Sequence, residues 1–363
     1  MKKNKISMLI AAVILTLSVA GCSAAAETEG TGAQTSAQET LAVKAPAEET
    51  TAAESTAVSE TAAAEQTVIR VGGLKGPTTM GLVKLMEDAQ NGNSQNQYEF
   101  TMVTAADELT ALVAGGKVDI ALMPANLSAV LYQKTEQNIS VIDINTLGVL
   151  YLVSADPSLE ENSIESLKGK TVYLPGKGTT PEYALCYLIA RSGLSEEDVT
   201  LEFKSEATEV ASILAADSSA IGLLPQPFVT VALSQNEALN VVGDLSAIWD
   251  DMNSDSRLVT GVTVVTNDFL NAHQDLVDIF LEEHEASIQF TKEDPETAAA
   301  LIAEAGIVAK APIAQKALPS CNIAYLDKEE MKEALEGYFN TLLEQNPASV
   351  GGALPEDAFY YIP

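Results

Sequence analysis

The chain has 363 residues, 20 of them basic and 51 acidic, for a formal net charge of −31. A field of that sign repels the phosphates of nucleic acid and of anionic lipid headgroups, which excludes nucleic acid as a partner. Only two histidines and three cysteines are present, with no pair at zinc-ligand spacing, so no metal and no cofactor is expected.

In chain order, Lys2, Lys3 and Lys5 precede an apolar stretch over 6–19, which runs into Val19-Ala20-Gly21-Cys22. A charged start, a short apolar core and small residues at a cut are the layout of an export signal. The apolar core, about 14 residues, falls short of the roughly 20 that cross a bilayer. Small residues leading into a cysteine resemble a lipobox. That resemblance implies that 1–21 is a lipoprotein signal peptide and that Cys22 carries the lipid, a palmitate-type acyl anchor. The chain beyond Cys22 is then extracytoplasmic and held on the bacterial cell membrane. Residues 22–67 are mostly Ala, Thr, Glu, Ser and Gln with no aromatic residue, and eight Glu stand against the single Lys44. Such a stretch buries too little apolar area to offset its ordering entropy and reads as a disordered acidic tether.

The body, 68–363, retains a charge of −27 once the three leader lysines and the tether's −7 are set aside. It is long enough for two lobes. The pattern predicts strands over 68–72, 97–103 and 118–122, with helices over 79–90 and 106–115 and another opened by Pro124. The alternation then restarts. An extended run at 148–154 precedes a short helix at 164–168 and a strand at 170–174. The loop 176–181 leads into a helix reaching 192, and strands come after it at 199–203, 220–224 and 239–242. A second extended run at 258–266 precedes a mostly helical end: 268–290, 294–304, 312–318 and 328–345. Strand–helix alternation argues for parallel sheets flanked by helices. Two such units joined by two extended runs predict an α/β two-lobed clam with two crossing hinge strands and a helical C-terminal wrap. Lobe one is 68–152 plus 258–363, and lobe two is 153–257.

Ligands of open parallel sheets sit beyond the carboxyl ends of the strands. Four loops qualify. The first, Lys75-Gly76-Pro77-Thr78-Thr79-Met80, offers the hydroxyls of Thr78 and Thr79. The second, Met123-Pro124-Ala125-Asn126, offers the amide of Asn126. The third, Gly176-Lys177-Gly178-Thr179-Thr180, is the strongest candidate, with Lys177, Gly178, Thr179 and Thr180 at a helix start. The fourth, Leu224-Pro225-Gln226-Pro227-Phe228, offers Gln226. Each also has a structural reading as an ordinary turn or helix cap. Trp249, the only tryptophan, either stacks on a ligand ring or packs in the core, which is the commoner fate. Arg257 either clamps an acidic group or pairs with a carboxylate such as Asp255. Cys186 reads as a buried thiol. His273 and His284 lie on the long helical stretch 268–290 after the second extended run, far from these loops, and read as surface or packing residues. No catalytic arrangement can be assembled, so an enzyme is not expected.

The lipobox, Ala114-Gly115-Gly116-Lys117-Val118-Asp119-Ile120-Ala121, Gly176-Lys177-Gly178-Thr179-Thr180 with Tyr183 and Leu185, Leu224-Pro225-Gln226-Pro227-Phe228 and Gly261-Val262-Thr263-Val264-Val265 together resemble one family. It is that of ABC-transporter solute-binding lipoproteins of the nitrate, sulfonate, taurine and thiamine-precursor type. The resemblance implies a type II periplasmic-binding-protein-like fold. It also implies a substrate-binding component of an importer that closes its lobes on a small organic molecule and passes it to permease subunits, working as a monomer. A membrane-tethered sensor or adhesin, or an enzyme on the same fold, is the alternative. Gln226 stands where a carboxylate is common in the family, which argues against a cationic amine, and the scarcity of arginine argues against a tightly clamped sulfonate or nitrate. The hydroxyls, amides and lysine of the four loops, with the indole of Trp249, fit a neutral or weakly anionic heterocycle or a small sulfonate.

Overall fold

The computed structural model describes residues 67–253 and 255–363. The stretch expected to be an export signal, the expected lipid-bearing Cys22 and the acidic run up to residue 66 lie outside the described residues.

The first α/β unit runs β1 (Val68–Leu74), α1 (Pro77–Met80), α2 (Val83–Gln90), β2 (Gln97–Val103), α3 (Ala106–Ala114), β3 (Ile120–Pro124), α4 (Ala125–Lys134) and β4 (Ile139–Leu147). The second runs β5 (Leu150–Ser154), β6 (Thr171–Pro175), α5 (Thr180–Arg191), β7 (Thr200–Lys204), α6 (Ala207–Ala216), β8 (Ile221–Pro225), α7 (Phe228–Gln235), β9 (Asn240–Asp244) and α8 (Leu245–Met252). The chain returns through β10 (Val259–Thr266). It ends with α9 (Asn267–Ala272), α10 (Gln274–Glu293), α11 (Pro295–Glu304), α12 (Ala311–Ala317), β11 (Ile323–Leu326) and α13 (Lys328–Gln345).

Two sheets result, ordered β11-β4-β10-β3-β1-β2 and β7-β6-β8-β5-β9. In each, three strands are parallel (β2, β1 and β3; β7, β6 and β8) and the next neighbour is antiparallel (β10; β5). The two orders match, β2-β1-β3-β10-β4 against β7-β6-β8-β5-β9, so the second unit repeats the path of the first. This is the two-sheet α/β architecture expected from the alternation.

Local causes are ordinary. Asp244 caps α8 by accepting from the Ser246 N–H at 2.9 Å, and Asp294 caps α11 through the Thr297 N–H at 3.1 Å, with Pro295 opening that helix. Gly115 and Gly116, the latter at φ +61, end α3.

Two strands escape the apolar pattern. In β4, Asp143, Asn145 and Thr146 are all buried. Asp143 accepts from Thr263 Oγ1 at 2.8 Å and sits 3.0 Å from Nδ1 of the buried His284, while Asn145 Nδ2 donates to Thr263 at 3.1 Å. Polar residues satisfied by one another sit inside a strand whose sequence therefore does not look apolar. The other is β11, four residues long. The extended run at 148–154 also divides: Gly148 and Val149 pass between the sheets, and the rest is β5 of the second sheet. His284, read from sequence as a surface or packing residue, proves fully buried, with Asp143 as its partner.

The C-terminal helix joins the two units. Trp249 of α8 packs against Tyr187 of α5, ring centroids 4.4 Å apart, and against Tyr338 of α13 at 5.9 Å. One continuous apolar core therefore runs from Val141 and Ile144 through Leu150 and Leu174 to Trp249 and Tyr338.

Candidate functional site

The loops after β1, β2 and β3 face those after β6, β7 and β8 across a cavity of ≈770 Å³. Its walls are Lys75–Thr78, Thr104–Asp107, Pro124, Pro175–Pro181, Lys204–Thr208, Pro225 and Phe228, with Leu150 and Thr260 from the starts of the two antiparallel strands. Leu127, Val130 and Lys134 come from α4, and Gly306 and Ile307 from the connection after α11. Such a volume, with mainly apolar walls and a few convergent polar groups, suits a small organic ligand.

Thr78, Lys177, Gly178, Thr179 and Thr180 line this cavity; Thr79, Asn126, Gln226 and Trp249 do not. The polar atoms of Thr79, Asn126 and Gln226 are engaged within the protein. Thr79 Oγ1 donates to the Leu74 carbonyl at 2.6 Å, which ties α1 to the end of β1. Asn126, fully buried, donates from Nδ2 to the carbonyls of Gly178 and Ser349, each at 3.2 Å, and so links the first unit to the Gly176–Thr180 loop. Gln226 Oε1 accepts from the Thr230 N–H and hydroxyl at 3.3 and 2.9 Å. Trp249 is fully buried between aromatic rings, the packing arrangement of its two readings.

Within the Gly176–Thr180 loop, Gly176 and Gly178 take φ +77 and +75, a left-handed backbone that side chains disfavour. The Gly178 N–H donates to Glu182 and the Thr179 hydroxyl to the Gly176 carbonyl, so both are satisfied inside the loop. Thr180 Oγ1 accepts from Tyr338 and donates to Asn126 at 3.5 Å. By contrast, Oγ1 of Thr78 is buried and has no protein partner, and the same holds for Oγ1 of Thr260.

Charge around the cavity runs against that of the molecule. Four lysines, Lys75, Lys134, Lys177 and Lys204, stand against two carboxylates, Asp107 and Glu206. Lys204 pairs with Glu202 at 3.5 Å and its Nζ lies 5.3 Å from the Tyr173 ring. Lys177 lies 5.4 Å over the Phe203 ring. Cation–π contact leaves the ammonium charge unneutralised.

A larger cavity, ≈1040 Å³, is lined by Gly148, Asp250, Asp255, Arg257, Glu330 and Glu333 among others. None of the parallel strands ends there. Arg257 belongs to it; burial raises the Asp250 carboxyl, opposed by the Arg257 charge. Cys186 and Cys321 are buried free thiols, both pushed up to about 12 by burial. Among the described residues, no group of His, Cys, Asp and Glu could hold a metal ion, and no helix is long and apolar enough to cross a membrane.

Sequence reasoning applied the strand-end rule to four parallel strands and passed over β2 and β7. The same rule there yields Thr104, Asp107, Lys204 and Glu206. Thr260 carries a weaker signal, a hydroxyl at the start of the returning strand. Lys134 and Ile307 carry none, since they reach the cavity from a helix and a helix connection.

The profile of the NMT1/THI5-like family matches residues 101–298. A search of curated proteins returned no match. Among solved structures, an ABC transporter protein from Parabacteroides distasonis is 27% identical, with a TM-score of 0.68 over 82% of this chain and 99% of that one. The periplasmic aliphatic sulphonate binding protein SsuA of Escherichia coli is 15% identical, with a TM-score of 0.65 over 82% and 92%. The CA3427 gene product of Candida albicans, described as having the generic periplasmic binding protein fold, is 14% identical, with a TM-score of 0.54 over 80% and 98%. The fold is that of periplasmic binding proteins, and with the family profile spanning more than half of its length the chain belongs to the NMT1/THI5-like family.

Proposed function

We propose that this protein is the extracytoplasmic solute-binding component of an ABC importer, and that its cargo is a small organic anion. The carrying observation is the ≈770 Å³ cavity onto which the parallel strands of both sheets converge, with four lysines against two carboxylates in a protein of net charge −31. Such a site focuses anions that the rest of the surface repels. Relatives of the same fold include a protein named for binding aliphatic sulphonates, which agrees with that charge.

In this reading one lobe carries β1–β4, β10 and the C-terminal helices and the other carries β5–β9. Bound cargo bridges them and stabilises the closed form by its differential affinity. Thr78, Lys177, Gly178, Thr179 and Thr180 contact the cargo, while Thr79, Asn126 and Gln226 hold the loops in place. Closed lobes then present the cargo to permease subunits. Cys22 carries the lipid anchor, residues 22–67 are the tether, and the working unit is a monomer. The role is binding, not turnover.

A thermal-shift panel of alkanesulfonates, carboxylates, neutral heterocycles, vitamins and amines tests this. A ligand that binds only the folded state raises the melting temperature by an amount set by its concentration over its dissociation constant. The anions are expected to give the shifts. Shifts from cationic amines alone contradict the anion assignment, and no shift from any member contradicts capture of these solutes.

A further inference from the structure

Building on the capture reading, we infer that Thr78 and Thr260 form the recognition pole of the cleft, gripping an oxygen of the cargo's acidic head group, which enters first. Among the described residues, seven buried side-chain polar atoms have no hydrogen-bond partner, and of the residues that carry them only Thr78 and Thr260 belong to the wall of this cavity, their hydroxyls lying just beneath its surface. Thr78 is 5% exposed and Thr260 9%. A buried hydroxyl without a partner costs free energy, so two of them at one cavity mark where a ligand restores the missing bonds.

The two residues are neighbours in space although 182 positions apart in the chain. Thr78 packs on Gly261: a Cβ there would overlap Thr78 Cγ2. Gly261 adjoins Thr260 in β10. Thr179 and Thr180 do not compete for the role, because they spend their hydroxyls on Gly176 and Asn126. The lysines are exposed or half-buried at the mouth. Attraction therefore acts at the entrance and hydrogen-bond selection acts at depth. Hydroxyls donate to a sulfonate or carboxylate oxygen. The apolar body of the cargo then lies along walls such as Leu127 and Phe228. A site of this kind discriminates by leaving its own polar atoms unpaired when the wrong end enters.

The test is calorimetric titration of the full-length protein with short linear alkanesulfonates and alkanoates, on wild type and on Thr78→Val, Thr260→Val, Thr78→Ser and Thr260→Ser. Each valine variant is expected to weaken binding of these anions by about ten- to a hundredfold, while the serine variants stay near wild type. The ligand-free valine variants should melt at or above the wild-type temperature, since an orphaned hydroxyl has been replaced by a methyl of the same shape. Valine variants that bind like wild type overturn the pole and leave anion capture standing. So does a valine variant that melts lower without ligand, because its hydroxyl then had a partner in the free protein. If these anions fail on wild type while a neutral or cationic solute binds, the pole falls and capture alone survives. If no solute binds, both fall.

Discussion

Gly261 shows how much of the site depends on an absent side chain. A Cβ at this position would overlap Thr78 and the Asn145 amide oxygen, both of them short and packed side chains with little room to yield. Gly261→Ala is therefore expected to cost about 1–3 kcal/mol of stability and to weaken binding of any cargo, because Thr78 must move. Denaturant melts together with titration check this; a variant unchanged in both would mean that the cleft floor is looser than its packing implies. At this scale the sequence was informative about residue type and uninformative about partners. Thr78 and Thr79 are adjacent and alike, yet one hydroxyl is tied to Leu74 and the other is left without a partner. Only the three-dimensional path of the short α1 helix decides which is which.

Among elements, α13 has the widest reach. Lying at the end of the chain, it brings Tyr338 against Trp249 and passes a hydrogen bond of 3.4 Å from the Tyr338 hydroxyl to Thr180, at the edge of the cleft loop. Trp249→Ala is expected to remove about 3–5 kcal/mol of stability and to leave cargo affinity unchanged, since its ring packs in the core and not at the cavity. Lost affinity at unchanged stability would instead place the indole on the ligand. The helices and most strands were legible because their periods of 3.6 and 2 are written in apolar residues. The strand β4 was not, because Asp143 and Asn145 find their partners on β10 and α10, far along the chain, and Thr146 donates to Asn145 beside it. Removing the Asp143 carboxylate would strand His284 in the core, which explains why a polar set sits inside a central strand.

Over the whole molecule, two sheets of matching order point the ends of their parallel strands at one another, and an acidic body surrounds a basic opening. That arrangement was visible in outline from the restart of strand–helix alternation near residue 148. The sign of the cleft was not, because Lys134 arrives from a helix and Lys204 from a strand end whose neighbours look like any solvated surface. Field focusing into such a cleft raises the encounter rate of an anion. A crystal structure of the protein grown with the anion that gives the largest thermal shift tests the central claim most directly. The account predicts the anion between the Lys75–Thr78 and Gly176–Thr180 loops, touching residues from both sheets. Its appearance instead beside Arg257 in the acid-lined cavity, or on one sheet alone, would contradict capture between the two.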